Sequence, residues 1–208
     1  MISSTDFDQL FYDPHAGEKF PKLSLEESWH CIRVLRHRNE DEIFVVDGQG
    51  SLYRCIITDP DEKSCGYEVL EISENWNQKN YTIHLAVGLI KDNSRLDWMM
   101  EKAVESGVDE ITIIKSQFTQ KKTLNQNRLV KIAIAAMKQS KQAKLPNINS
   151  LINFENFLKN TKPSFEKFIA HENINHLPLI HSVEVGGNSI IVIGPEGGFS
   201  EEELRFRI

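Results

Sequence analysis

The sequence has few cysteines and no arrangement of them that would build a covalent or metal framework. Its three cysteines, Cys31, Cys55 and Cys65, are odd in number and include no C-x-x-C pair in 208 residues. This excludes a disulfide scaffold and a zinc knuckle of the usual spacing. We predict three reduced thiols, most of them packed inside the protein.

Long apolar runs are absent as well. No window approaches the roughly 18 apolar residues that a membrane span needs, and the N-terminus MISSTDFDQLFYDPH lacks the layout of a signal peptide. We therefore expect a cytoplasmic protein without a membrane partner. The even spacing of His171, His176 and His181 places them on neither one helical face nor one strand face, so we expect no metal site.

One long interval contains no acidic residue. The whole chain has a net charge of −6, but residues 111–154 contain neither Asp nor Glu. Such segregation of charge is typical of a face that meets an anionic partner. The eight basic residues of this interval are Lys115, Lys121, Lys122, Arg128, Lys131, Lys138, Lys141 and Lys144.

The pattern of apolar residues predicts two domains. In residues 1–73 the segment EIFVVDGQGSLYRCIIT alternates around Asp47-Gly48-Gln49-Gly50, which indicates a β-hairpin. The segment before it, SLEESWHCIRVLRH, has helical spacing after Ser24. We predict a small β-rich domain with one helix, which ends near the polar segment SENWNQKN.

Residues 74–208 predict alternating strands and helices. Strands are indicated by the segments YTIHLAVGLI, EITIIKS, FEKFIAHE and SIIVIG. Helices are indicated by RLVKIAIAAMKQSKQA and NFENFLKN. NSRLDWMMEKAVESGV predicts a helix in which Ser94 and Asp97 form a capping box and Gly107 marks the end. SIIVIG is apolar on both faces, as in a parallel sheet covered by helices.

A glycine-rich turn follows the last predicted strand, in IIVIGPEGGFSEEEL. Gly194, Gly197 and Gly198 allow a close approach of backbone to ligand, and Ser200 with Glu203 has the spacing of a capping box. In open α/β sheets ligands bind at this end of the strands. A tight connection without any ligand is the alternative.

Known phosphate-binding motifs do not match this turn. The sequence contains neither G-x-G-x-x-G nor G-x-x-x-x-G-K-[ST], which argues against an enzyme that uses another nucleotide. The surrounding carboxylates would repel a polyphosphate, so a ligand with cationic character fits better. These carboxylates are Glu196, Glu201, Glu202 and Glu203.

Four segments together resemble one enzyme family. They resemble segments of the RsmE methyltransferases of the SPOUT superfamily and occur in the same order as in that family. In chain order they are HCIRVLRHRNEDEIFVVDGQGSLYRCIIT, RLDWMMEKAVESGVDEITII, KIAIAAMKQSKQAKLPNI and GPEGG. The resemblance covers most of the chain. It implies an α/β fold with an N-terminal PUA-like small β-barrel domain (residues 1–73) and a C-terminal SPOUT methyltransferase domain with a trefoil knot (residues 74–208).

The resemblance also implies an activity and a cofactor. RsmE enzymes transfer a methyl group from S-adenosylmethionine to N3 of one uridine in 16S ribosomal RNA, without a metal, and are homodimers. The residues implied for the cofactor are His171, Ile193, Gly194, Pro195, Glu196, Gly197 and Gly198. His171 could instead contribute only its backbone, and Glu196 would orient the loop or the cofactor amine rather than act as a base. No catalytic residue is assigned.

The partner implied by the resemblance is 16S ribosomal RNA or the small ribosomal subunit. Each lysine taken singly could equally be a solvated surface charge. At the segment KQSKQAK, where Ser140 lies, this chain departs from the family by carrying Lys in place of an acidic residue. The candidate RNA contacts are Arg33, Arg36, Arg38, Lys121, Lys122, Lys138, Ser140, Lys141 and Lys144.

A second departure lies after EEELRFRI, where RsmE chains continue into a strand, an arginine-containing turn and a helix that complete the cofactor pocket. From this difference we expect a C-terminally incomplete form of the fold, which lacks the final strand and helix. Two hypotheses follow: a methyltransferase, or an RNA-binding module of the same fold that binds ribosomal RNA without methylating it. Loss of the pocket would spare phosphate contacts, so salt-dependent RNA binding without cofactor binding would favour the second.

Overall fold

The computed structural model describes residues 2–171 and 178–205, so His176 lies outside the described residues. The chain divides into two compact units, Met1–Gln78 with Ile134–Leu145, and Lys79–Ala133 with Pro146–Ile208. One boundary between the units falls within the helix Gln126–Gln139. The predicted domain boundary at residue 73 stays a prediction.

The first unit contains a four-stranded sheet with the strand order β1-β2-β3-β4. β1 pairs with β2 in parallel, and the other neighbouring strands pair antiparallel. The predicted helix begins at the cap residue Ser24, whose side chain accepts the Glu27 N–H, and continues as a π-helical turn at His30–Val34. The elements are β1 (Phe11–Tyr12), α1 (Leu25–Trp29), β2 (Glu42–Val46), β3 (Leu52–Asp59) and β4 (Gly66–Ser73).

The predicted hairpin joins β2 to β3 and is organised by one carboxylate. Asp47 is only 8% exposed, and its Oδ1 accepts the backbone N–H groups of Gln49, Gly50 and Ser51 at 2.7, 3.0 and 3.0 Å. The Tyr53 hydroxyl donates to the other carboxylate oxygen at 3.2 Å. The side chain of Asp47 thus supplies acceptors that a tight loop would otherwise lack.

All three cysteines are buried, free thiols, as predicted. They belong to the hydrophobic core of the first unit, with Phe11, Val45 and other apolar side chains. Burial raises the pKa of the Cys55 thiol to about 12. The Cys55 thiol therefore stays protonated and behaves as a small apolar group.

The second unit contains a parallel sheet of five strands in the order β7-β6-β5-β9-β8. β9, predicted to be covered on both faces, lies inside the sheet. One strand of this sheet, β7, was not predicted from the sequence. The elements are β5 (Ile83–Gly88), α2 (Asn93–Glu105), β6 (Glu110–Lys115), α3 (Gln126–Gln139), β7 (Asn147–Asn153), α4 (Phe154–Lys159), β8 (Glu166–Ala170), β9 (Ser189–Ile193) and α5 (Glu201–Leu204).

The ends of α2 correct one prediction and confirm another. The predicted capping box of Ser94 and Asp97 is wrong, because Asp92 is the N-cap and its side chain accepts the Ser94 N–H at 2.8 Å. Asp97 instead forms an ion pair with Arg128. Gly107 follows the helix with a φ of 76°, which suits the predicted stop.

Within the described ranges, no helix is long and apolar enough to cross a membrane.

We predict that Asp47→Ala destabilises the first unit by about 2 kcal/mol, because the N–H groups of Gln49 and Ser51 and one buried hydroxyl lose their acceptor. Urea unfolding followed by tryptophan fluorescence measures this change. Asp61→Ala is the matched control, since Asp61 accepts the Lys63 N–H on an exposed loop and should cost less than about 0.5 kcal/mol. Equal effects of the two substitutions would contradict the assigned role of Asp47.

Candidate functional site

The glycine turn lies against the end of the neighbouring strand β5. β5 and β9 pair in register up to Val87 and Ile193, so Gly88 and Gly194 follow side by side. A Cβ at Gly88 would lie 2.5 Å from Pro195 Cδ and 2.7 Å from the Gly194 carbonyl carbon, closer than real Cβ atoms approach. The absence of a side chain at residue 88 therefore allows the turn to adopt its position.

The turn itself is closed by a hydrogen bond from the Gly198 N–H to the Pro195 carbonyl at 2.8 Å. Gly198 has a φ of 69°, a conformation that glycine adopts without strain. The predicted capping box is present in full: Ser200 accepts the Glu203 N–H, and the Glu203 carboxylate accepts the Ser200 N–H. The backbone direction after the turn is thereby fixed.

Two further loops are joined by hydrogen bonds to this turn and to the helix α5 that follows it. The Lys91 N–H, in the loop after β5, donates to Glu196 Oε1 at 3.0 Å. The Gln117 N–H, in the loop after β6, donates to Glu203 Oε1 at 2.8 Å. Three loops at the carboxyl edge of one parallel sheet therefore form a single hydrogen-bonded group, where α/β proteins bind ligands.

Hydrogen bonds favour the ionised form of the Glu196 carboxyl. Its own backbone N–H and that of Lys91 hold the pKa of the Glu196 carboxyl below its ordinary value. Glu196 is thus an anion at neutral pH that already accepts donors from the protein. This agrees with the predicted role of orienting the loop and leaves Glu196 poorly suited as a general base.

Two clefts open beside the turn. One, of about 430 Å³, is lined by residues 117–120 and Gly197. The other, of about 520 Å³, is lined by residues 115–117 and 119, residues 153–155, Ser200, Glu202 and Glu203. Both lie at the carboxyl ends of strands, in the range of volumes that small-molecule sites have.

Apolar side chains are exposed next to this backbone. Ile193 is 39% exposed at the end of β9, and Phe118 is 47% exposed. Phe118 lies so close to Gly197 that a Cβ there would be 2.9 Å from Phe118 Cβ. Apolar surface beside unhindered backbone suits a ligand with a flat, partly apolar body and hydrogen-bonding edges.

The predicted cofactor residues come from two neighbouring strand ends. Ala170 pairs with Ile193 in register, so His171 follows directly beside Gly194. The His171 side chain is exposed. The structure thus brings His171 next to the turn of residues 194–198, while its role in ligand binding stays a prediction.

The predicted RNA contacts in the first unit lie on and after the π-helical turn. Arg33, Arg36 and Arg38 are all exposed, and Arg33 forms an ion pair with Glu62. Arg36 has a φ of 62°, which is uncommon for a residue with a side chain. Their assignment to RNA binding stays a prediction.

The predicted RNA contacts at the end of α3 and just after it have contacts inside the first unit. Lys138 forms an ion pair with the largely buried Glu27, and Lys141 Nζ donates to the carbonyls of Ser4 and Phe7 at 2.9 and 2.7 Å. Ser140 Oγ donates to the Ala136 carbonyl at 2.7 Å. These contacts give the three side chains structural roles, and RNA binding by them stays a prediction.

The remaining predicted basic residues differ in their surroundings. Lys144 pairs through its backbone with Gly48 and Gln49. Lys121 Nζ donates to the Lys91 carbonyl at 3.4 Å and also to the side chain of Asn93. Lys122 is exposed. Lys121 therefore braces the loop after β5, close to the glycine turn, and Lys122 follows it in the chain.

Three residues of this site were not predicted from the sequence. Gly88 carried a usable signal, because a glycine that ends the apolar run HLAVG indicates a close approach of backbones. Lys91 acts through its backbone N–H, which every residue except proline has, so its identity carries no signal. Phe118 lies in a loop that the sequence alone does not place near residue 197.

Comparisons with known families give matches over both units. Residues 77–207 match the model of the RNA methyltransferase domain family, and residues 24–65 match the RNA methyltransferase PUA domain. The first match covers more than half of the chain and includes the whole glycine turn.

Individual proteins give the same picture. A ribosomal RNA small subunit methyltransferase E of Mesomycoplasma hyopneumoniae is 29% identical over 179 residues, which are 84% of this chain and 75% of that protein. A probable rRNA-methyltransferase from Porphyromonas gingivalis is 33% identical, with a TM-score of 0.84 over 95% of this chain and 84% of its own. A putative methyltransferase from Legionella pneumophila, solved with bound S-adenosylmethionine, is 25% identical with a TM-score of 0.82, over 96% of this chain and 84% of its own.

We predict that Gly88→Ala destabilises the second unit by about 2 to 4 kcal/mol, because the new methyl group can be accommodated only by moving backbone. Urea unfolding of the full chain measures this effect. Gly17→Ala is the control, since a Cβ there would meet only the Tyr53 hydroxyl at 3.3 Å. A stable Gly88→Ala variant with an unchanged turn would contradict the close approach.

We also predict that Glu196→Ala releases the loop after β5. Hydrogen exchange of the Lys91 amide should become about tenfold faster, because its acceptor is lost. Glu201→Ala, which changes an exposed residue in the first turn of α5, is the matched control and should leave this rate unchanged. Unchanged protection of Lys91 in Glu196→Ala would show that the carboxylate does not hold the loop.

Proposed function

Because the chain belongs to the RNA methyltransferase family, among the RsmE methyltransferases of ribosomal RNA, we propose that it methylates N3 of one uridine in 16S ribosomal RNA. The methyl donor is S-adenosylmethionine. The observation that carries the proposal is the backbone-lined edge where Gly88 and the turn of residues 194–198 meet, inside the segment that matches the family.

The residues at this edge fit the donor. Gly197 is exposed and Gly198 has open space where a Cβ would lie, and the exposed Ile193 and Phe118 offer apolar contact for a purine ring and the methionine chain. The acidic residues of the turn and of α5 suit a cationic sulfonium better than a phosphate. When bound, S-adenosylmethionine supplies an electrophilic methyl group.

The contribution of the chain to the reaction is mainly positional. Uridine N3 carries an imide proton that has to leave as the N–C bond forms, and negative charge develops on the base. Loops that are held together by hydrogen bonds can orient donor and acceptor in line and present N–H dipoles without reorganisation. The contacts of Glu196 and Glu203 to neighbouring loops support this role.

The proposal includes finer features that come from the resemblance. They are an N-terminal RNA-binding domain over residues 1–73, a methyltransferase domain with a trefoil knot over residues 74–208, a homodimer and a cytoplasmic location. The exposed arginines 33, 36 and 38 and the exposed Lys122 are the proposed phosphate contacts, since their side chains reach solvent.

We predict that the full chain transfers a radiolabelled methyl group from S-adenosylmethionine to small ribosomal subunits of a host that lacks this modification. Mass spectrometry of the digested RNA should place the label on N3 of one uridine. Gly88→Ala should reduce the rate at least about tenfold, because it displaces the turn, whereas Gly17→Ala should retain activity.

Two outcomes separate the alternatives. Binding of ribosomal RNA that weakens with salt, without cofactor binding or methyl transfer, would favour an RNA-binding module of the same fold. Transfer to another atom or another RNA would overturn the proposed target while keeping the donor.

A further inference from the structure

A separate cavity of about 380 Å³ lies in the second unit, on the face of the sheet where α4 packs. Its lining includes His84, near the amino end of β5, and none of residues 194–198. Four residues along a strand span about 13 Å, so Gly88 and the glycine turn lie well away from His84. The cavity is therefore distinct from the proposed methyl-donor site.

The cavity is lined by two opposite charges that do not neutralise each other. Glu110 and Lys162 both contribute to its lining, yet among the described residues no ion pair joins them. Lys162 Nζ lies 5.3 Å from the centre of the Phe165 ring. An anionic and a cationic group are thus presented separately at one cavity.

A polar network fixes the orientation of Glu110. Asn149 Nδ2 donates to Glu110 Oε1 at 2.7 Å and to Thr112 Oγ1 at 2.8 Å, which uses both amide hydrogens. Thr112 Oγ1 lies 2.8 Å from His84 Nε2. The second carboxylate oxygen, Oε2, is 3.6 Å from His84 Nδ1, beyond hydrogen-bonding distance, so it can accept from a ligand.

The imidazole of His84 is neutral and does not balance the negative charge of Glu110. His84 is 8% exposed, and burial holds its pKa below the ordinary value. The Glu110 carboxylate opposes this shift, and the nearby Lys162 ammonium adds to it. A neutral imidazole leaves the negative charge of Glu110 available to a cationic ligand group.

The rest of the cavity wall contains large apolar side chains. Phe157 and Ile190 are buried, Phe165 is partly buried against the same cluster, and all three line the cavity. The Phe157 ring meets the His84 ring edge to face at 5.3 Å, which holds both in place. A ligand here would contact fixed apolar groups between the two charges.

We propose that this cavity binds a free α-amino acid with an apolar side chain. Glu110 Oε2 accepts from the α-ammonium group, and Lys162 Nζ donates to the α-carboxylate. The side chain contacts Phe157, Phe165 and Ile190. The volume is in the range of small-molecule sites, and a zwitterion satisfies both charges where an ion of either sign would satisfy one.

Isothermal titration calorimetry of the full chain with L-leucine and with L-phenylalanine tests the proposal. S-adenosylhomocysteine is added in excess, so that an amino acid cannot be measured at the methyl-donor site. We expect saturable binding, weakened at least about tenfold by Glu110→Gln or by Lys162→Met, because each removes one charge contact. The measurement does not depend on methyl transfer, so its failure and that of the proposed function are distinguishable.

The chain offers a matched control pair and a matched ligand. Glu155 and Lys159 form an ion pair at 2.8 Å on α4 and do not line this cavity, so Glu155→Gln and Lys159→Met should leave affinity unchanged. Leucinol lacks the carboxylate, so it should bind more weakly than leucine and lose nothing further in Lys162→Met. No saturable binding up to roughly 10 mM, or equal binding by the Glu110 and Lys162 variants, would overturn the proposal.

Discussion

The close approach of Gly88 to Pro195 determines how the carboxyl edge of the second sheet is built. Because residue 88 has no side chain, the turn after β9 lies directly against the end of β5, and the parallel register of the two strands continues into their loops. Glu196 then reaches the Lys91 N–H, and Glu203 reaches that of Gln117. Each carboxylate satisfies a backbone donor in another loop, so the edge is held as a unit.

Several basic side chains of the interval without acidic residues make contacts within their own unit. The interval without acidic residues indicated one basic face, but Lys138 and Lys141 turn toward acceptors of the first unit, and Lys121 braces a loop of the second. An ammonium group that already donates to protein carbonyls has less to offer a phosphate. Exposed groups such as Arg36 and Lys122 therefore stay the proposed phosphate contacts, which would supply the electrostatic part of RNA binding.

The sequence predicts elements that depend on local patterns, but not those that depend on partners distant in the chain. The hairpin at Asp47 and the strand β9 follow from local periodicity and turn chemistry. β7, with the sequence NINSLIN, has no such period, and its place in the sheet depends on partners such as Thr112 and Glu110 that bond Asn149. The N-cap of α2 was misassigned because Asp92 and Ser94 are both good caps, and only geometry chooses between them.

The central claim is that the methyl donor binds where Gly88 meets the turn of residues 194–198. Hydrogen–deuterium exchange of the full chain, with and without S-adenosylhomocysteine, tests it most directly, because bound ligand protects the amides it contacts and the loops it orders. We expect protection in residues 88–91, 116–120 and 193–198, with little change in residues 42–73. Protection confined to other segments, or none at saturating ligand, would contradict the account.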